Sequence, residues 1–215
     1  MRNCLFVLLA SGLGIISLRA PSKVRSQSKP ESSSSHADAE KSATKTLVNQ
    51  KLSGTSYTNG ASRFTLTVPE GWKANDNLVD PTIGIGALTA PDGEANLVIQ
   101  LKLTSDSPKA LAKKIEAQGN SLFPGYHKVS ESKLSVGGKD CEALTLKYTQ
   151  HRTVNGVAVE VPMAAKLVLM PKEYGFLVFE FVTLESIFDQ RLPTFDKIMS
   201  SFRSTEAEGV SRKPK

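Results

Sequence analysis

The sequence predicts an α+β fold, with a mostly antiparallel sheet that is flanked by helices. Most patterned segments alternate apolar and polar residues, as a strand with one buried face does. Only two segments, one in the middle of the chain and one near its end, space their apolar residues as a helix does. Strands that follow one another in hairpins, with few helices between them, are typical of this fold class.

The first patterned strand lies in Ser62–Trp72, and we expect the fold to be organised around it. Its centre, Phe64–Val68, alternates apolar residues with threonine. Pro69 and Gly71 then predict a type I turn, because proline presets φ and glycine closes the turn. Trp72 is the only tryptophan, and its place directly after the turn predicts an anchor of the core.

The later strands are predicted from alternation and from the turns between them. The sequence Val154-Asn155-Gly156-Val157 is typical of a type I′ hairpin turn. The register that follows pairs Leu144 with Leu167, Tyr148 with Met163, Gln150 with Val161 and His151 with Glu160. Other strands are predicted in Ala95–Leu103, Tyr126–Val136 and Tyr174–Val182, and the last of these is apolar on both faces.

Two helices are predicted. Ser107 is a capping residue, Pro108 suits the first helical position, and Gly119-Asn120 is expected to end this helix. The closing helix, Ser186–Phe202, has apolar residues at helical spacing. Pro193 is expected in the first turn of its main segment, because proline is tolerated there.

The N-terminus predicts export. Arg2 precedes an apolar run of about 15 residues, Cys4–Leu18, which fits a signal peptide or an N-terminal membrane anchor. Residues 1–20 are assigned to this segment, and residues 21–54, rich in Ser, Lys, Glu and Gln, to a disordered tether. Residues 55–203 are expected to form the folded domain and residues 204–215 a flexible tail. The expected location is the periplasm, the cell envelope or the thylakoid lumen.

Few residues of the sequence could carry chemistry. The chain has two cysteines, and since Cys4 lies in the apolar run, Cys141 has no disulfide partner within the domain. The acidic residues on either side of Cys141 raise a thiol pKa, so we interpret it as a half-buried strand residue and not as a nucleophile. His127 and His151 have no neighbours at the spacing of a metal or catalytic motif.

Two further patterns fit structural roles better than ligand sites. Asp76 and Asp80 lack the alternating ligands, the glycine and the glutamate of a calcium loop, which favours a surface loop. Gly84 and Gly86 lack the third glycine and the following helix of a phosphate loop, so we expect a strand that another backbone approaches closely. The net charge of +6 is scattered without a basic and aromatic run, and no nucleic-acid partner is expected. We predict no catalytic, cofactor-binding or metal-binding residue, and no cofactor.

A resemblance to a known superfamily rests on four features. They are Tyr57, the sequence F-T-L-T-V-P-E-G-W, the late apolar strand, and a closing helix that ends I-M-S-S-F-R. These make Tyr57–Phe202 similar to the PsbP-type α/β/α sandwich. That superfamily includes the PsbP proteins of photosystem II, PsbP-like lumenal proteins, DcrB-like envelope lipoproteins and the nuclear Ran-binding Mog proteins. The shared features are core and turn residues, so they concern the fold and not an activity.

The resemblance implies a non-enzymatic binding, assembly or scaffold module. Together with export, it implies an envelope or membrane-associated protein as the partner, and photosystem II if the host is photosynthetic. The alternative is an envelope hydrolase or metal-dependent enzyme whose site the sequence does not reveal. A deep pocket with convergent His, Asp or Glu side chains would favour the enzyme, and a shallow polar surface would favour binding.

Residues 1–26 fused to a reporter should carry it across the membrane, because a charged start followed by an apolar run directs export. Protease protection in the fractionated host measures the outcome. A control fusion with Leu8→Lys and Leu9→Lys breaks the apolar run and should stay in the cytoplasm. If the unaltered fusion also stays there, the export prediction fails.

Overall fold

The computed structural model describes residues 49–79, 84–154 and 156–205. Its strands are β1 (Gln50–Ser53), β2 (Ser56–Asn59), β3 (Phe64–Thr67), β4 (Lys73–Ala74), β5 (Gly84–Thr89), β6 (Ala95–Leu103), β7 (His127–Val136), β8 (Lys139–Val154), β9 (Val157–Lys172), β10 (Gly175–Leu184) and β11 (Arg203–Ser204). Its helices are α1 (Pro108–Leu122) and α2 (Phe188–Ser200), and 3₁₀ turns lie at Asp76–Leu78 and Glu185–Ile187. Among these residues, no helix has the length and apolar character needed to cross a membrane. The predicted signal segment, most of the predicted tether and tail, Asp80 and Asn155 lie outside the described residues.

Two antiparallel sheets build the fold. In the described residues, the large sheet has seven strands in the order β4-β5-β6-β10-β9-β8-β7, and the small sheet has four in the order β1-β2-β3-β11. All pairs of neighbouring strands are antiparallel. The predicted α+β class, a mostly antiparallel sheet flanked by helices, is confirmed.

Strand β10 lies in the middle of the large sheet and is covered on both faces. Leu177, Phe179 and Phe181 enter a core that includes α2 and the small sheet. Phe176 and Val178 point to the other face and enter a second core with α1. The chain therefore forms three layers, and the prediction of a strand covered on both faces is confirmed.

Phe64 of β3 joins the layers on the α2 side. It is fully buried, and its ring centroid lies 5.4 Å from that of Phe202, 5.9 Å from Phe179 and 6.1 Å from Tyr57. One side chain thus connects the small sheet, β10 and the end of α2. Trp72 is 7% exposed and lies in the same core, so its predicted burial is confirmed.

The turn after β3 differs from the predicted one. The Trp72 N–H donates to the Pro69 carbonyl at 3.5 Å, so the turn runs from Pro69 to Trp72, one residue later than predicted. Gly71 is its third residue and has a φ of +82°, which a type II turn requires and a type I turn does not. The type I prediction is wrong, because Pro69 is the first residue of the turn and not the second, which places Gly71 third, where a type II turn has a positive φ.

Both helices pass through residues that were expected to bound them. Gly119 lies inside α1, and the Tyr126 ring packs against it so closely that a Cβ there would lie 2.1 Å from a ring atom, which explains a glycine within the helix. Pro193 lies inside α2, which begins at Phe188, and not in the first turn. The predicted capping of α1 by the Ser107 hydroxyl is confirmed.

The β8–β9 register is confirmed in each pair that was predicted: Leu144 with Leu167, Tyr148 with Met163, Gln150 with Val161 and His151 with Glu160.

The domain boundaries differ slightly from the expected ones. Strand β1 lies within the segment assigned to the tether, because Leu52 packs against the core. Ser204, assigned to the tail, pairs with Phe64 in the small sheet.

Phe64→Ala and Trp72→Ala should each destabilise the domain by about 3–5 kcal/mol, because each removes an aromatic ring from a closed core. His151→Ala, at a solvent-exposed position, should change stability by about 0.5 kcal/mol or less. Urea and thermal unfolding of the three variants measure this. If Trp72→Ala were as stable as the wild type and had lost partner binding, the core assignment of Trp72 would be overturned.

Candidate functional site

The candidate residues of the sequence do not converge in the structure. Cys141 is buried in β8, and burial raises the pKa of its thiol to about 11. His127 Nδ1 lies 2.7 Å from the carbonyl oxygen of Gly125. His151 Nδ1 lies 3.9 Å from Glu160 Oε1, and both side chains are more than half exposed. In the described part of the chain, no three His, Cys, Asp or Glu side chains are placed to hold a metal ion.

The two loop-like patterns have structural roles. Asp76 accepts a hydrogen bond from the Gln50 amide and opens a 3₁₀ turn. Gly86 lies in β5 beside Gly84, at a shift in the strand register. A Cβ at Gly86 would lie 1.9 Å from the Tyr57 hydroxyl, so the close neighbour is a side chain and not the backbone that was expected.

The distal half of the β8–β9 hairpin extends beyond the rest of the sheet. Strand β10 pairs with β9 only as far as Met163, and β7 pairs with β8 only as far as Lys147. Residues 149–154 and 157–162 therefore pair with each other alone, and we call these two segments the arm. One backbone hydrogen bond, from the Thr149 N–H to the Pro124 carbonyl at 2.8 Å, ties the base of the arm to the loop after α1.

The arm has one apolar face. Val157, Val159 and Val161 lie on the side of the hairpin that faces the α1 layer, in register with Arg152 and Gln150 of β8. Val157 is 62% exposed, and Val159 and Val161 are half-buried. The other side carries His151, Thr153, Ala158 and Glu160, all exposed. This division leaves an apolar strip that no described part of the chain fully covers.

Two aromatic rings form the base of this strip. The Tyr148 ring centroid lies 4.8 Å from that of Phe123, the residue after α1, and 6.2 Å from that of Tyr126. Tyr148 and Phe123 are both half-buried. We define the apolar face of the arm as Phe123, Tyr148, Val157, Val159 and Val161.

Arg152 lies within this apolar face. Its Nε and Nη2 donate to Gln150 Oε1 at 2.9 Å and 2.7 Å, and Nη2 also lies 3.4 Å from Met163 Sδ. Burial lowers the pKa of the guanidinium from its ordinary value, and no carboxylate of the described residues forms an ion pair with it. Arginine side chains held in this way at the centre of an apolar surface are frequent contributors to protein interfaces.

A second exposed apolar pair lies at the opposite end of the large sheet. Leu103, at the end of β6, is 75% exposed, and Tyr174, in the β9–β10 turn, is 72% exposed. The Thr104 N–H donates to the Tyr174 carbonyl at 3.3 Å, so the two ends are adjacent. This pair has two residues, whereas the apolar face of the arm has five.

Glu180 places a carboxylate in the middle of β10, on the side of α1. It is 5% exposed, and burial, offset only in part by the charge of Lys102, raises the pKa of its carboxyl to about 7. Burial, together with the nearby Glu180 charge, raises the pKa of the Tyr126 and Tyr148 hydroxyls. The Tyr126 hydroxyl is buried and has no hydrogen-bond partner among the described residues. A carboxyl that titrates near neutrality is suited to proton transfer.

Sequence reasoning missed Glu180 and the arm for different reasons. Glu180 stands alone between apolar residues in F-L-V-F-E-F-V, and this exception to the pattern was a usable signal. The arm had no such signal in the sequence. It projects because β7 and β10 end before β8 and β9 do, and where they end depends on residues far away in the sequence.

No family model and no curated protein matches the chain. Solved structures do. Cyanobacterial PsbP (CyanoP) of Synechocystis is 14% identical, with 74% of this chain and 94% of that chain covered and a TM-score of 0.49. LpqN of Mycobacterium tuberculosis, involved in cell envelope biogenesis, is 17% identical, with 69% of this chain and 88% of that chain covered and a TM-score of 0.43. The Ran-binding protein Mog1p of Saccharomyces cerevisiae is 12% identical, with 74% of this chain and 96% of that chain covered and a TM-score of 0.47.

The matched structures include both the PsbP and the Mog proteins named in the sequence-based resemblance. At these identities and TM-scores, the matches concern likeness of fold alone.

The Glu180 carboxyl should make the domain less stable as the pH rises from about 4.5 to about 7. Its ordinary pKa is 4.5 and its folded pKa is about 7, so between these values the folded state binds more protons than the unfolded chain. The stability present at low pH is therefore lost through this window, by roughly 3 kcal/mol in total at 1.36 kcal/mol per pKa unit.

Urea unfolding from pH 4 to pH 8 measures this slope. Glu180→Gln should remove it and raise stability at pH 8, whereas the control Glu160→Gln, at an exposed position of the arm, should keep it. Equal slopes in both variants would contradict the assignment.

Proposed function

We propose that the chain is an exported, non-enzymatic binding or assembly module that holds a protein partner on the apolar face of the arm. The main observation in support of this proposal is that the arm extends beyond the sheet. It has three half-buried or exposed valines on one side and mostly polar residues on the other. Apolar surface of this kind, rimmed by polar residues, is typical of a protein interaction site.

The arm is not needed to close the core. The buried apolar residues of the α1 side end at Met163 and Leu146, at the base of the arm. A free two-stranded ribbon is marginally stable in water. Strands β8 and β9 nevertheless extend beyond the last residues that pair with β7 and β10. A partner that covers the apolar face would bury the valines and stabilise the ribbon at the same time.

The arm also offers unpaired backbone groups. Beyond Thr149 on β8 and beyond Met163 on β9, the outer edges have no neighbouring strand among the described residues. Such edges can accept a further strand from a partner. Pro162 removes one donor from the β9 edge, which makes the β8 edge the better template.

The proposed location follows from the N-terminal sequence. The charged and apolar segment of residues 1–20 supports export to the periplasm, cell envelope or thylakoid lumen. The partner is then an envelope or membrane-associated protein, and the tether gives the domain reach from a membrane anchor if the segment is retained.

The alternative of an envelope enzyme would use Glu180. Its raised pKa suits an acid or base, but it faces Lys102, Tyr126 and Tyr148, with no Ser, Cys or His among the groups that act on its charge. It is also 5% exposed. These observations weigh toward binding.

A photoreactive amino acid at position 159 of the full-length chain should cross-link a partner in the native membrane fraction, because Val159 lies on the apolar face. The matched control carries the same group at position 158, where Ala158 lies on the polar side of the same strand. Excess unlabelled wild type should abolish the product, and excess Val159→Lys should not.

Gel shifts followed by mass spectrometry measure the products. Equal products from both positions, or none that competes with the wild type, would mean that the arm is not the binding surface.

A further inference from the structure

We infer that the segment held by the arm carries a carboxylate, flanked by apolar side chains, that pairs with Arg152. This inference rests on the proposed function, since it names the chemistry of the partner at the same surface. The occupant is a short acidic and apolar segment of another protein.

The first observation is the position of Arg152. It stands opposite Val159 in the arm register, and its guanidinium contacts Gln150 and Met163 on the apolar side of the hairpin. A partner that covers the valines must also cover this cation. A buried cation without a counter-charge is costly, and a carboxylate on the partner removes that cost.

The second observation is that Arg152, unlike Lys147 and Lys166, has no carboxylate partner among the described residues. Lys147 pairs with Glu185 at 2.8 Å, and Lys166 pairs with Asp196 at 3.0 Å. Arg152 is half-buried but pairs only with the neutral Gln150 amide and a thioether sulfur among the described residues.

The third observation is preorganisation. Gln150 is 7% exposed, and its Oε1 accepts from both Nε and Nη2 of Arg152, which fixes the plane of the guanidinium. The hydrogen bonds of Arg152 to described residues do not use Nη1, so donors remain for an incoming carboxylate. A fixed guanidinium loses little conformational entropy when it binds a planar anion.

The apolar face itself excludes two other occupants. It carries no Asp or Glu among its residues, so a second copy docked face to face by a two-fold axis would offer Arg152 no carboxylate from that face. An anionic lipid surface attracts clusters of Lys and Arg, whereas this face has one arginine and the reverse side of the arm has Glu160. The net charge of +6 favours the approach of an acidic partner.

A random peptide display library selected on the full-length chain tests the inference. Sequences whose binding is lost with Val159→Lys should be enriched in Asp or Glu between aliphatic or aromatic residues. For the best peptide, fluorescence anisotropy should show affinity falling about 10- to 100-fold with Arg152→Gln, and less with Arg152→Lys, as expected for loss of a charge-assisted hydrogen bond. Lys133→Gln, which removes an exposed charge on β7 away from the arm, is the matched control and should bind normally.

A double-mutant cycle completes the test. Replacing the acidic residue of the peptide by its amide should weaken binding to the wild type but add little further loss with Arg152→Gln. Unchanged thermal unfolding of Arg152→Gln shows that the variant is folded.

The outcomes separate the two proposals. Arm-dependent peptides without a carboxylate, indifferent to Arg152→Gln, would overturn this inference and leave the proposed function standing. A complete lack of arm-dependent peptides would overturn both. Sedimentation showing a dimer that Val159→Lys dissolves, or binding to phosphatidylglycerol vesicles that Arg152→Gln abolishes, would assign the arm to a second copy or a lipid surface and overturn the inference.

Discussion

The burial of β10 on both faces is the constraint from which the rest of the structure follows. Its apolar residues cannot be satisfied by one covering layer, so the chain places α1 on one side and α2 with the small sheet on the other. Phe64 fixes the second of these layers, because its ring contacts a ring of the small sheet, one of β10 and one that follows α2. The same constraint ends β10 at Leu184, since the chain must turn there to bring α2 back over the sheet.

The arm is a consequence of that ending. Strand β10 has 10 residues, whereas β8 and β9 have 16 each, so the longer pair continues without a neighbour. Arg152 and Gln150 are hydrogen-bonded to each other on the apolar side of the arm. The contact between the Tyr148 and Phe123 rings connects the base of the arm to the end of α1. Glu180 is the opposite case, a polar group within the closed part of the fold, where burial opposes its charge. The closed part of the fold thus holds a buried carboxyl on which the Lys102 charge acts, whereas the valines of the arm are half-buried or exposed.

The sequence predicted those parts of the fold that short-range chemistry decides. Asn155-Gly156 set the hairpin register, Ser107 marked the start of α1, and the apolar residues of β10 indicated cover on both faces. What it missed depends on distant contacts. Gly119 lies inside α1, where the Tyr126 ring leaves no room for a Cβ.

The same reason explains the candidate site. Residues of the arm were placed in the correct register, with one side facing the core, but the alternation of Val157, Val159 and Val161 looks the same in a buried and in a projecting hairpin. Which of these it is depends on where β7 and β10 stop. The sequence could not single out Arg152, because its interest lies in its hydrogen bonds. The structure shows that its guanidinium donates to the Gln150 amide and not to a carboxylate.

The most direct test of the arm as the binding surface is amide hydrogen exchange of the full-length chain, alone and with the partner identified by cross-linking at position 159. Alone, the amides of residues 150–154 and 157–161 should exchange faster than those of residues 163–169, because only the latter lie between two paired strands. With the partner, the arm should gain protection while the Leu103 and Tyr174 end of the sheet stays unchanged. Protection at that end, or at no part of the arm, would contradict the account.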